Sequence, residues 1–319
     1  MIEGTYKDLL QILQKEAATL NLSLFVVGGG VRDLLGEKPF RSNDIDLVLD
    51  GEVSTLAKRV TSIVDGKLQK FTSFMSVKVE LPSKWLPCKE IDIARARSEY
   101  YERGGALPTV TAASVVEDLK RRDFSINAMA LSLEEFIDCI EKGHLTLQAE
   151  HAILDFFNGK QDLKFNQIRV LHDKSFLDDP TRIFRGCRYS VRIGGSFEKK
   201  TERLLVEGVE TGALKTVSGT RLIKEIQKIT VEKDPVAIFY LLDRYDVFMF
   251  LDLVDARSIN DFLHSLNDLV IYPLEERFLY FMARAYSFAT SEQRVGYQLK
   301  YQLGKKFIKK CVDLCSSGK

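Results

Sequence analysis

The sequence predicts an α+β protein: a small mixed β-sheet with helices forms an N-terminal head, and an all-helical arm follows it. Between residues 24 and 94, short apolar runs with period-two alternation are broken by glycines and polar loops, the pattern of strands. Beyond about residue 150 these runs nearly vanish, and apolar residues recur at helical spacing. At 319 residues the chain exceeds the usual single-domain size, so two or more units are expected, with enough length to bury a sizeable core.

Taken in order, residues 6–18 carry Leu9, Leu10, Ile12 and Leu13 at helical spacing. Residues 24–27, Leu-Phe-Val-Val, suit a buried strand. Gly28 and Gly29 follow where a tight turn exposes backbone N–H groups to a polyphosphate. Residues 30–35 read as a short helix closed by Gly36, with Arg32 placed to reach a phosphate as a bidentate donor. In the strand beginning at residue 44, alternation sends Asp44 and Asp46 to one face and Ile45, Leu47 and Leu49 to the other. Two carboxylates sharing an exposed face require a cation, which makes Asp44 and Asp46 the expected metal ligands and catalytic pair. A phosphate cradle beside a carboxylate pair points to nucleotidyl transfer. A dinucleotide-binding reading fails, because Gly28 and Gly30 leave the third glycine position of that fingerprint at Asp33. Further strands are expected over residues 67–71, 74–81 and 90–94, and helices over 54–64 and 114–129. The arm should hold helices over 180–193, 218–231 and 236–251, with joints at Gly194-Gly195 and over residues 207–214.

Composition is ordinary for a globular protein, and the net charge of +1 would not by itself suggest a nucleic-acid partner. The charge is unevenly spread. Residues 182–203 hold seven Arg or Lys against Glu198 and Glu202, and residues 294–319 hold seven against Asp313. The five cysteines, Cys88, Cys139, Cys187, Cys311 and Cys315, show neither a disulfide framework nor paired zinc spacing; Cys311 and Cys315 are expected to be small buried residues. No secretory leader pattern and no bilayer-length apolar run is visible, so a cytoplasmic protein is expected.

Gly-Gly-x-Val-Arg-Asp from Gly28, a loop, and then Asp-x-Asp at Asp44 and Asp46 resemble the signature of the class II tRNA nucleotidyltransferase and bacterial poly(A) polymerase family. Residues 119–130, Leu-Lys-Arg-Arg-Asp-Phe-Ser-Ile-Asn-Ala-Met-Ala, are similar to that family's second motif, and residues 155–163, with Gly159 and Asp162, to its third. The fourth appears at Asp178-Asp179-Pro180-Thr181-Arg182, continuing to Arg185 and Arg188.

The resemblance implies a polymerase-beta-type head over residues 1–135, a neck for base recognition over 136–205, and a tRNA-binding body and tail over 206–319. It also implies two Mg2+ ions, ATP and/or CTP as nucleotides, and the tRNA 3′ end as acceptor. Gly28, Gly29, Arg32, Arg122, Asp123 and Asn127 would bind nucleotide in the head. In the neck, Asp179 would accept from the exocyclic amine of cytosine or adenine while Arg182 donates to the ring, with Arg185 and Arg188 on triphosphate or ribose. Guanine and uracil would present a carbonyl to the Asp179 carboxylate and be repelled.

Several alternatives remain open. Asp92 could be a third metal carboxylate or could pair with Arg95 or Arg97, and Arg122 and Asp123 could form a local salt bridge. Asp179 before Pro180 is also an ordinary helix start, as Asp234-Pro235 is, although only the first is followed by an arginine stripe. Asp178 and Phe156 replace the family's more frequent Glu and Pro, leaving CCA, CC or A addition open. The runs from Arg97 to Val110 and from Leu171 to Phe176 look more like bacterial A-adding or split-activity members than poly(A) polymerases. A poly(A) polymerase and a non-catalytic RNA-binding relative are the competing readings.

Overall fold

A computed structural model describes residues 6–36, 44–69, 71–85 and 88–316, which divide into two compact units. The first takes in Met1–Tyr100, Pro108–Phe165 and Arg169–Leu171; the second takes in Tyr101–Leu107, Asn166–Ile168 and His172–Lys319. The first unit therefore runs past the residue-135 edge expected for the head, because residues 136–165 pack with the sheet.

That sheet is built from β1 (Leu24–Val27), β2 (Asp44–Leu49), β3 (Lys67–Leu68), β4 (Ser76–Glu80), β5 (Glu90–Arg95), β8 (Met129–Ser132) and β9 (Leu154–Asp155). The spatial order is β3-β4-β5-β2-β1-β8-β9, and every neighbouring pair is antiparallel except β2 with β5. β2 lies at the centre because apolar side chains cover both of its faces. Leu47 and Leu49 join one core with α1 (Tyr6–Thr19), α3 (Val53–Val64) and α5 (Leu133–Lys142), whereas Val48 joins a second with Val27, Ala96, Leu119 and Ala130. α2 (Gly29–Leu35) follows β1 directly, and α6 (Leu147–Ala152) and α7 (Gly159–Lys164) flank β9.

Three expectations need correction in this unit. The strand expected over 67–71 is only two residues long. A separate antiparallel hairpin, β6 (Arg97–Tyr100) and β7 (Thr109–Ala112), was not foreseen. The helix expected over 114–129 stops early: α4 spans Val115–Lys120, followed by a 3₁₀ turn over Ser125–Asn127. Asp123 Oδ1 accepts from the N–H of Phe124 at 2.9 Å, Phe124 forms a bridge with Val170, and residues 129–132 are claimed by pairing with β1. Tertiary strand pairing overrides helical propensity here.

The second unit is helical apart from two two-residue parallel strands, β10 (Gln167–Ile168) and β11 (Ser196–Phe197). Its helices are α8 (Ser175–Asp178), α9 (Thr181–Ile193), α10 (Lys199–Glu210), α11 (Gly219–Thr230), α12 (Pro235–Arg244), α13 (Val247–Leu251), α14 (Ile259–His264), α15 (Leu274–Ser287), α16 (Ser291–Leu299) and α17 (Lys305–Ser316). The single helix expected over 236–251 is two helices, α12 and α13, because Asp246 takes a left-handed backbone with φ of 56°. Phe239 stacks on Phe281 at 4.6 Å, and Phe262 meets Phe281 edge-on at 5.5 Å, anchoring α12, α14 and α15 in one core. All five cysteines are free thiols; Cys311 is buried and Cys315 is exposed rather than buried. Among the described residues no helix is long and apolar enough to cross a membrane.

α9 packs against α11 through a buried ion pair. Arg188 donates to Glu225 at 3.3 Å and to Glu232 at 3.0 Å, and Glu232 also engages Arg192. Glu225→Ala strands part of that buried guanidinium, and we expect a loss of about 2–3 kcal/mol by urea denaturation, with Glu225→Gln losing less. An unchanged midpoint would mean that Glu232 alone satisfies Arg188.

Candidate active site

The glycine turn of the first unit is shaped by Gly28, whose φ of 64° and ψ of −118° suit glycine and little else. Its N–H donates to the Met129 carbonyl at 3.3 Å, so Gly28 contributes backbone shape and open space more than a donor. The space is used at once: a Cβ there would lie 3.2 Å from Arg122 Nη1, and one on Gly29 would lie 3.5 Å from Arg32 Nη2. Two arginines thus flank a turn without side chains.

Each is held from behind. Arg32 is 5% exposed and donates to Asn127 Oδ1 at 2.7 Å and to Asp33 Oδ1 at 2.9 Å. Asn127 in turn donates through Nδ2 to Asp123 Oδ1 at 3.2 Å, so the second motif is tied to the helix after the turn. The local salt bridge considered for Arg122 exists with a different partner, Asp118, at 2.9 Å. Asp118 is fully buried and also binds Arg121 at 2.6 Å and the N–H of Arg97 at 3.3 Å. Burial alone would raise the Asp118 pKa, but Arg122 and Arg121 outweigh it and hold it below the ordinary carboxylate value. Sequence reading missed Asp118, although its spacing of three and four residues to the arginines is a detectable helical signal.

Next to the turn, β2 carries the acidic pair. Asp46 is exposed and is in register with Asp92 on β5, which is in register with Lys78 on β4. Asp44 is in register with Glu90; its side chain lies outside the described residues. Asp92 pairs with neither Arg95 nor Arg97 but with Lys78 at 3.0 Å, and Lys78 also engages Glu90. Burial would lower Lys78, yet the hydrogen bonds and charges of Glu90 and Asp92 hold it above its ordinary value. Among the described residues no group of three His, Cys, Asp or Glu side chains forms a ready metal cluster. The metal-ligating groups on this face are carboxylates, balanced by Lys78, and carboxylates suit a hard cation with oxygen ligands, which Mg2+ fits.

The second unit holds the residues of the fourth motif. Asp179 accepts from Thr181 N at 3.1 Å and Thr181 Oγ1 at 2.6 Å, so it does cap the start of α9. The same carboxylate receives Arg221 at 2.9 Å, a partner that sequence spacing could not show. Arg182 is 4% exposed and donates to Ser175 Oγ at 2.6 Å, with His172 Nε2 3.4 Å away. Burial, reinforced by Arg182, lowers the His172 pKa, so the neutral ring accepts from the guanidinium. The arginine stripe divides: Arg188 is committed to Glu225 and Glu232, whereas Arg185 is half-buried and lies over the Tyr189 ring at 5.8 Å.

Asp118→Asn should remove most of the charge that orients Arg122. We expect a loss of about 3 kcal/mol in stability at neutral pH and a weakened nucleotide affinity. The folded pKa of Asp118 is depressed, so its contribution is complete above its unfolded value of about 3.9 and is lost as pH falls through the lower folded value. Acid unfolding followed by circular dichroism should therefore converge for the two proteins only at strongly acidic pH; equal stability at pH 7 would contradict the clamp.

A model of the poly A polymerase head domain matches residues 24–169. The chain is 37% identical over 251 residues to an A-adding tRNA nucleotidyltransferase of Halalkalibacterium halodurans, covering 76% of this chain and 54% of that protein. It is 34% identical over 266 residues to an A-adding tRNA nucleotidyltransferase of Geobacter sulfurreducens, covering 83% of this chain and 28% of that protein. The chain thus spans about half or less of the length of these relatives. Among solved structures, a Thermotoga maritima CCA-adding enzyme complexed with tRNA superposes with a TM-score of 0.71 at 32% identity, over 97% of this chain and 69% of that one. With four motifs in order and these likenesses together, the chain belongs to the tRNA nucleotidyltransferase and poly(A) polymerase family.

Proposed function

We propose that the protein is a tRNA nucleotidyltransferase that adds the terminal A to a tRNA ending in CC. The observation that carries this reading is the glycine turn flanked by Arg32 and Arg122, next to the strand bearing Asp44 and Asp46. The two A-adding relatives support the choice of terminal A.

In the reaction, the 3′ hydroxyl of the tRNA attacks the α-phosphate of ATP and pyrophosphate leaves in line. Asp44 and Asp46 would hold two Mg2+ ions, which when bound would lower the pKa of the hydroxyl and offset charge on the leaving group. Arg32 and Arg122 bind the triphosphate oxygens, and their fixed guanidinium positions mean that little ordering remains when nucleotide arrives. Asp92 is a third carboxylate of the same face, with Lys78 balancing its charge. Asp179 and Arg182 read the base: the carboxylate accepts from the N6 amine of adenine and repels the O6 carbonyl of guanine. tRNA bearing the acceptor end is held through its phosphates by the basic residues of the second unit, in the cytoplasm where tRNA is processed.

Purified protein with magnesium, labelled ATP or CTP, and tRNAs ending at the discriminator base, at C or at CC tests the assignment. We expect one AMP on the CC-ended tRNA and no CMP, and Asp46→Asn should retain tRNA affinity with less than about one per cent of the incorporation. Addition of CCA to the discriminator end would assign the full reaction instead. An unlimited A ladder on arbitrary RNA would make it a poly(A) polymerase, and tRNA binding without incorporation a non-catalytic relative.

A further inference from the structure

Arg221, on the first turns of α11, makes two contacts that bear on base choice. Its Nη2 donates to Asp179 Oδ1 at 2.9 Å, and its Nη1 donates to the Gly105 carbonyl at 2.5 Å. Gly105 is also fixed through its N–H, which donates to the Asp178 carbonyl at 3.0 Å. The approach is close on all sides, since a Cβ on Gly105 would lie 2.0 Å from Thr216 Oγ1. Three separate segments of the second unit, Tyr101–Leu107, the Asp178-Asp179 pair and the start of α11, therefore meet at this one guanidinium.

Asp179 Oδ1 receives three donors: Thr181 N, Thr181 Oγ1 and Arg221 Nη2. Among the described residues no protein donor reaches Oδ2. A carboxylate saturated on one oxygen cannot exchange its oxygens by rotation without breaking three hydrogen bonds, so Oδ2 keeps a fixed direction. The two Thr181 contacts are neutral and serve the helix start. The Arg221 contact is charged and ties the carboxylate to a guanidinium that the Gly105 carbonyl also holds, and a carboxylate fixed in this direction rejects a carbonyl.

We infer that Arg221 is a specificity-determining positioning residue: it fixes the direction of Asp179 and links it to the backbone at Gly105. The inference rests on the proposed base-reading role of Asp179. In this account Arg221 touches no substrate, and its loss changes which nucleotide is accepted more than how fast the correct one reacts.

The test compares wild type, Arg221→Gln, Arg221→Lys and Asp179→Asn for incorporation of ATP against GTP and UTP on CC-ended tRNA. The selectivity ratio is taken within each preparation, so a partly unfolded variant still reports it. We expect Arg221→Gln to lower ATP/GTP selectivity by at least about tenfold with a smaller fall in the ATP rate. Arg221→Lys should fall between, because one ammonium reaches Asp179 or Gly105 but not both in fork geometry. Equal losses for all three nucleotides in Arg221→Gln, or unchanged selectivity, would overturn the inference. If Asp179→Asn also keeps wild-type selectivity, the base-reading role of Asp179 itself fails; if Asp179→Asn loses selectivity and Arg221→Gln does not, only the positioning role fails.

Discussion

The buried hydrogen bond from Arg32 to Asn127, 2.7 Å long, joins the helix after the glycine turn to the segment carrying the second motif, and the chemistry proposed for the first unit depends on it. An arginine that is to bind a ligand must be charged, directed and free of a long search through rotamers, whereas burial of an unpartnered charge is costly. The protein meets both demands by placing a polar or acidic group behind each guanidinium. Asn127 and Asp33 stand behind Arg32, Asp118 behind Arg122, and Ser175 and His172 behind Arg182. Asp118 is the most heavily used, since a single buried carboxylate orders Arg121, Arg122 and the backbone of Arg97.

The same device separates two kinds of arginine that look alike in one dimension. Arg182, Arg185 and Arg188 recur every three residues along α9 and read as one stripe. In three dimensions Arg188 is an element of packing, paired across to Glu225 and Glu232, and Arg185 rests on an aromatic ring. Asp179 has two tasks at once: it caps α9 through Oδ1 and leaves Oδ2 for another donor. The cap and the proposed base-reading role are compatible for a group with two oxygens.

The β1–α2–β2 segment was legible in the sequence because its determinants are local: an apolar run, a left-handed glycine and alternation that separates acids from aliphatics. The elements that were not legible depend on distant partners. The helix over 114–129 ends early because Asp123 caps Phe124 and residues 129–132 complete a strand beside β1, neither of which leaves a periodic trace. The hairpin of β6 and β7 carries charged residues: Glu99 pairs with Arg97 and Arg121 while the Arg97 backbone N–H donates to Asp118, and these contacts replace the apolar pattern a strand usually shows. Glu225 lies 37 residues from Arg188, and Arg221 lies 42 from Asp179, so spacing could not reveal either contact. Asp118 was the avoidable omission, for its partners sit within one helical turn.

In the proposed reaction the acidic face of β2 is a two-cation site that operates with nucleotide on the glycine turn. Manganese is a spectroscopically visible substitute for magnesium, and its binding can be counted by electron paramagnetic resonance with a non-hydrolysable ATP analogue present. Two bound ions per chain are predicted, falling to one or none in Asp46→Asn and unchanged in Glu225→Gln. Stoichiometric ATP-analogue binding with no bound manganese, or with binding that survives Asp46→Asn intact, would contradict the account.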